Sequence, residues 1–182
     1  MNGTDVTRRR FVALGAGAAL AVFGLEVAGD QTSAQQESTT MSEQNDLELA
    51  IQRMCAATID FINGKTDAWK AMCSHRADAT LFGGWGGHEK GWEELSPRYD
   101  WAAARFAGGD ITFEELARYS SDDLACTIHF ERMQARLAGG DATVPVNLRV
   151  SHVYRREDGD WKLVNRHAAL IEIQAPETVV DR

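Results

Sequence analysis

The sequence predicts an α+β fold in which helices come first and cover one face of an antiparallel sheet. Three observations predict it. Apolar residues from Asp46 onward recur at three- and four-residue spacing, the period of one helix face. After Gly108-Gly109 the pattern switches to the two-residue alternation of strands. The joints between those strands, Ser121-Asp122-Asp123, Gly139-Gly140-Asp141 and Asp158-Gly159, are turn chemistry, which makes the run an antiparallel meander. Helices segregated on one face of such a sheet define the α+β class, and a strongly bent sheet beneath them can enclose a cone-shaped cavity.

Residues 1–34 read as a targeting segment. Thr7-Arg8-Arg9-Arg10-Phe11-Val12 is followed by an apolar run, Ala13 to Leu25, too short and too rich in Gly and Ala for a membrane span. Paired arginines ahead of Phe look like a twin-arginine export signal, with cleavage expected after Thr32-Ser33-Ala34. The mature chain would then be periplasmic or extracellular, with no stable membrane anchor. Translation from Met41 would leave it cytoplasmic. Residues 35–45 are polar and read as a disordered linker. The folded domain is expected over 46–175, and 176–182 as a tail.

Within the domain, Leu47, Ala50, Ile51, Met54, Cys55, Thr58, Ile59 and Ile62 form one apolar helix face, stopped by Asn63-Gly64. Thr66 to Met72 predicts a second helix, and Ala79 to Phe82 a short strand. Gly83-Gly84-Trp85-Gly86-Gly87 is a flexible connection around one aromatic. Glu89 to Phe106 reads as mainly helical, with Pro97 starting a new helix capped by Ser96. Four strands follow: Ile111 to Ser120, Leu124 to Leu137, Val144 to Glu157 and Asp160 to Ile173.

The formal net charge of -8 argues against a nucleic-acid partner, because displacing counterions from phosphates needs surplus Lys and Arg. None of the five histidines pairs at HxxxH or HxH spacing, so no metal site is expected, and no glycine-rich phosphate loop follows a strand. Cys55, Cys73 and Cys126 lack ligand spacing and read as buried small hydrophobes.

The last hairpin carries the candidate site. With Asp158-Gly159 as a two-residue turn, Tyr154 opposes Leu163, His152 opposes Asn165 and Val150 opposes His167. One face then holds His152, Tyr154, Asn165 and His167 among apolar groups. His152 and Asn165 either satisfy each other or project into a wet pocket. A one-residue bulge at the turn would instead move Arg149, Ser151 and Arg166 inward. On the preceding strand, His129 and Glu131 share a side with Thr127 and Met133 and form the best acid/base pair in the chain. His152, His129 and Glu131 are the candidate catalytic groups. Trp85, Tyr99 and Trp101, with Tyr154, Asn165 and His167, are the candidate ligand contacts.

The stretches "DDLACTIHFERMQARL", Asp122 to Leu137, and "RVSHVYRREDGDWKLVNRHA", Arg149 to Ala168, resemble the SnoaL-like branch of the nuclear transport factor 2-like superfamily. The second is also similar to the end of the calcium/calmodulin-dependent kinase association domain. The resemblance implies a cone-shaped α+β barrel, a homodimer, and a small, largely apolar molecule held in the cone. It also implies, where there is activity, cofactor-independent acid/base chemistry of the isomerase, dehydratase or hydrolase type. The alternative is a non-catalytic association module, because a fold by itself does not choose a function.

Overall fold

The long amphipathic helix leads. In a computed structural model, describing residues 31–171 and side chains from residue 45, helix α1 spans Gln31–Ile62. It therefore begins upstream of Asp46, and the stretch 35–45, expected as a linker, lies within it. Gln31 to Ile62 contains no Gly or Pro to break a helix propagating from the apolar part. Leu47, Ala50, Met54, Ala57 and Ile62 are its buried stripe, while Ile59 is 41% exposed. Gly64, at φ 80°, ends it, with the Lys65 amide reaching back to Asp60 O at 3.0 Å in the manner of a Schellman cap.

Helix α2 is Asp67–Met72, followed by strands β1, Thr80–Phe82, and β2, His88–Lys90. Helix α3 is one continuous element, Trp92–Ala103, with Pro97 inside it. The break expected at Ser96-Pro97 does not occur; the helix starts instead after Gly91, whose φ of 79° turns the chain out of β2.

Four long strands complete the chain: β3 Phe106–Ser120, β4 Leu124–Leu137, β5 Thr143–Glu157 and β6 Asp160–Leu170. They form the expected meander within one six-stranded sheet of order β2-β1-β6-β5-β4-β3. That sheet is mixed and open: β1 pairs β6 in parallel, and β2 pairs β1 antiparallel at the edge. Strand β3 also starts earlier than expected. Gly108 and Gly109 do not interrupt it but make an irregularity in its pairing with β4. A Cβ on Gly109 would collide with the backbone of Gln134, so only glycine fits there.

The last hairpin decides what faces inward. Asp158 and Gly159, at φ 51° and 88°, make the predicted type I′ turn. Register matches expectation from Glu157↔Asp160 to Tyr154↔Leu163, then shifts. The next pairs are Val153↔Asn165, His152↔Arg166 and Val150↔Ala168, leaving Val164 as the extra residue of a bulge in β6. The opposition of His152 with Asn165, and of Val150 with His167, is thereby corrected. Beyond the bulge it is Arg166 and Ala168 that are buried, while Asn165 is half-buried and His167 exposed.

The core lies between the concave sheet face and the helices. Trp69, Tyr99, Tyr154, Trp161 and Leu163 pack with α1 in one part. Ile62, Phe106, Met133, Val146, Leu148 and Val150 form the other. Residues 1–30 of the targeting segment and the whole tail lie outside the described residues, while residues 31–34, with the expected cleavage site, fall in the first turns of α1.

Candidate functional site

Alternation on β4 turns Thr127, His129, Glu131 and Met133 to the concave face, and all four are buried. Alternation on β5 does the same for His152 and Tyr154. The bulge at Val164 adds Arg166 from β6. Same-face neighbours across the three strands run Thr127, His152, Arg166 in one row. From that row Arg166 reaches diagonally over β5 to Glu131.

The result is a buried charged cluster. Arg166 donates from Nη1 to Glu131 Oε1 and from Nη2 to Glu131 Oε2, both at 2.7 Å. This is the bidentate fork that suits guanidinium to carboxylate. Nη1 also lies 2.6 Å from His152 Nε2. Guanidinium can only donate, so His152 Nε2 accepts and the ring proton sits on Nδ1. Nδ1 in turn donates to Tyr154 Oη at 3.0 Å. On the other side, His129 Nε2 lies 3.4 Å from Glu131 Oε1 and donates to it.

Protonation states follow from these contacts. Burial alone would raise the Glu131 carboxyl, but the Arg166 charge and its hydrogen bonds, with help from His129, hold it well below the usual carboxylate range. Burial, and then the Arg166 charge, push His152 well below its ordinary value, so it stays neutral. Burial raises Tyr99 and Tyr154, which remain phenols.

Above this cluster lies a cavity with about 660 Å³ of empty space including its open mouth. Its wall is aromatic and aliphatic: Phe61, Ile62, Trp69, Trp85, Phe106 and Met133 are representative. Polar groups on it are few, and Glu131 is the one carboxylate among the described residues that line it. Arg166 and Tyr99 share the wall, and Arg98 stands at the glycine loop. Arg98 Nη2 donates to Gly86 O at 2.7 Å, and its Nε lies 3.3 Å from Glu89 Oε1. These contacts pin the loop that carries Trp85 over Phe106, with ring centroids 5.2 Å apart.

Of the residues singled out in the sequence, Glu131, Trp85 and Tyr99 line the cavity. His152, His129 and Tyr154 stand behind its floor, buried and hydrogen-bonded. Trp101 does not line the cavity; it is 38% exposed and stacks with the guanidinium groups of Arg98 and Arg105. Asn165 is directed elsewhere, donating to Thr80 Oγ1 at 2.8 Å, and His167 lies against the exposed Phe82. Trp69 was missed, and Arg166 was expected inward only with a bulge at the turn; the bulge lies in mid-strand instead, so Arg166 turns in while Arg149 stays exposed and Ser151 half-buried. Trp69 had a signal, since it lies on a short helix beside apolar neighbours.

His129, Glu131 and His152 also bring potential metal-ligand atoms within 4.8 Å of one another. Arg166 Nη1 stands between Glu131 Oε1 and His152 Nε2, so the positive charge there is the protein's own. A metal ion would have to displace it.

Comparison with known proteins places this arrangement. No curated protein matches the chain. Among solved structures, a candidate dehydratase of the NTF2-like family from Streptomyces avermitilis superposes with a TM-score of 0.62 at 17% identity, covering 74% of this chain and 99% of that one. A ketosteroid isomerase-like protein from Erwinia carotovora atroseptica gives 0.61 at 19% identity, over 72% and 98%. A candidate calcium/calmodulin-dependent protein kinase type II association domain from Thiobacillus denitrificans gives 0.58 at 18%, over 69% and 94%. Identities this low speak for the fold alone. The SnoaL-like domain model matches residues 34–172, which take in the helices, the sheet and the cavity, and the chain belongs to that family.

Proposed function

We propose that this is an exported SnoaL-like protein that holds a small, largely apolar molecule in the cavity. The observation that supports the reading most is the Glu131–Arg166 pair in the floor of an otherwise apolar cavity. Apolar walls with a few placed polar groups are what a small-molecule site requires. As scaffold, a buried ion pair is a poor choice, since well-packed apolar residues generally do as well or better. Its place on a cavity wall therefore favours recognition. Chemistry on the bound molecule would fall to groups of the ligand itself, polarised by Arg166, because His152 has both nitrogens engaged and Glu131 is a weak base, held ionised by Arg166. That would be cofactor-independent acid/base chemistry.

The test is native mass spectrometry of the purified protein, with calorimetric titration of small lipophilic compounds. A retained molecule, or saturable binding lost in a cavity-filling Leu148→Trp variant with an unchanged circular dichroism spectrum, is expected. No retained molecule and no binder would sink the reading.

A second reading, association into a homodimer, is favoured by the outer face of the sheet. Tyr119 and Leu124 are 64% and 48% exposed there, beside the half-buried Cys126, Ile128, Phe130 and Val153. Solution mass should be that of a dimer and fall to a monomer in Phe130→Asp. A monomeric parent protein would remove this reading while leaving the pocket intact.

A further inference from the structure

The donors and acceptors of the cavity floor are unevenly spent, and this bears on the kind of molecule the cavity takes. A guanidinium carries five N–H groups. Arg166 commits two from Nη1, to Glu131 Oε1 and His152 Nε2, and one from Nη2, to Glu131 Oε2. Among the described residues no acceptor meets its Nε–H or its second Nη2–H. Arg166 is 9% exposed, and it lines the cavity. Trp69, on the same wall, has its indole Nε1–H buried without a hydrogen-bond partner among the described residues. A buried donor left so is costly, so this wall, with the uncommitted N–H groups of Arg166, calls for an acceptor from outside the protein.

The acceptor side of the floor is nearly full. Glu131 Oε1 receives from Arg166 and from His129, and Oε2 receives from Arg166. Charge is balanced as well. Arg166 is matched by Glu131, His152 is neutral, and the other cation on the wall, Arg98, is matched by Glu89. A ligand carboxylate would bring a second anion beside Glu131 in a poorly solvated place, with no unpaired cation to receive it.

We propose that the cavity takes a neutral, largely apolar molecule through one oxygen acceptor, a ketone, ester or lactone carbonyl, that receives hydrogen bonds from Arg166, and that it discriminates against carboxylates of the same shape. This rests on the small-molecule reading above and adds the chemical class. The hydrocarbon part meets the Phe61, Trp69, Trp85 and Phe106 wall, and the oxygen reaches the floor.

Three probes of matched shape test it in the wild-type protein, so no variant of the buried pair has to fold. They are 2-acetylnaphthalene, 2-ethylnaphthalene and 2-naphthoate, titrated by calorimetry at neutral pH. The ketone should bind about tenfold or more tightly than the hydrocarbon, the usual worth of a hydrogen bond from a charged donor. It should also bind about tenfold or more tightly than the carboxylate. Its carbonyl stretch should move to lower wavenumber on binding. Hydrocarbon and ketone binding equally, or naphthoate binding best, would overturn the acceptor proposal and leave the apolar pocket standing. If none of the three binds, the pocket reading fails and this proposal with it.

Discussion

Arg166 and Glu131 join β6 to β4 across the full width of β5, by two hydrogen bonds of 2.7 Å each. Neither strand touches the other through its backbone. The pair is therefore a side-chain tie between non-adjacent strands, and it lies in the cavity floor.

Removing one partner leaves the other charge buried and uncompensated. Arg166→Met or Glu131→Gln alone should lower stability by about 3–5 kcal/mol. The double variant Arg166→Met/Glu131→Met should recover most of that loss. Urea denaturation of the three variants checks it. Equal losses in the single and double variants would mean that the ion pair itself, and not the stranded charge, dominates.

Stability should fall on acidification in two stages. His152 has a folded pKa far below its ordinary 6.5, so below that pH the unfolded chain binds a proton that the folded one refuses. Stability from this group is complete above about 6.5 and declines as pH drops, by about 1.4 kcal/mol per unit. Glu131, whose folded pKa is also depressed, adds a second loss below its ordinary 4.5. Chemical denaturation at several pH values should show the first slope in the parent protein and its absence in His152→Gln.

Gly109 should tolerate nothing larger. Its φ is 150°, and an added methyl would strike the backbone of Gln134 and Ala135 in β4. Gly109→Ala should cost about 1–3 kcal/mol or more, seen as a fall in melting temperature. Gly139→Ala is the comparison, since it has φ 83° but no atom within 4 Å of the new methyl. Its smaller loss would separate collision from backbone strain.

Export through the twin-arginine signal remains to be measured. Residues 1–36 fused to a reporter that must fold before crossing the membrane should direct it outward. Changing Arg8 and Arg9 to Lys should abolish that. Unaltered export of the changed fusion would remove the assignment.

The fold was legible because its signals are local. Asp158-Gly159 fixed the last hairpin, and the alternation on β4 correctly grouped Thr127, His129, Glu131 and Met133. The floor of the site was legible only in part. Period-two reasoning carries a strand correctly until one residue is added, and nothing in "WKLVNRHA" marks Val164 as that residue. Past it, inward and outward exchange, so Asn165 and His167 were expected where Arg166 stands. Strand β2 escaped notice for a different reason: His88-Glu89-Lys90 is polar and short, and edge position rather than propensity makes it a strand. Likewise, Pro97 was read as a boundary, but packing of Leu95, Tyr99 and Ala103 keeps α3 whole across it.

The three cysteines lead to a point about where this chain can mature. Cys55, Cys73 and Cys126 are all free. Burial pushes the Cys55 and Cys73 thiols up to about 12, so at neutral pH roughly one in 10⁵ would be a reactive thiolate. No step in building the core or the cavity needs an oxidant. The domain can reach its final form in a reducing compartment, and Cys73, the one of the three that is buried where all were expected to be, would then resist oxidation.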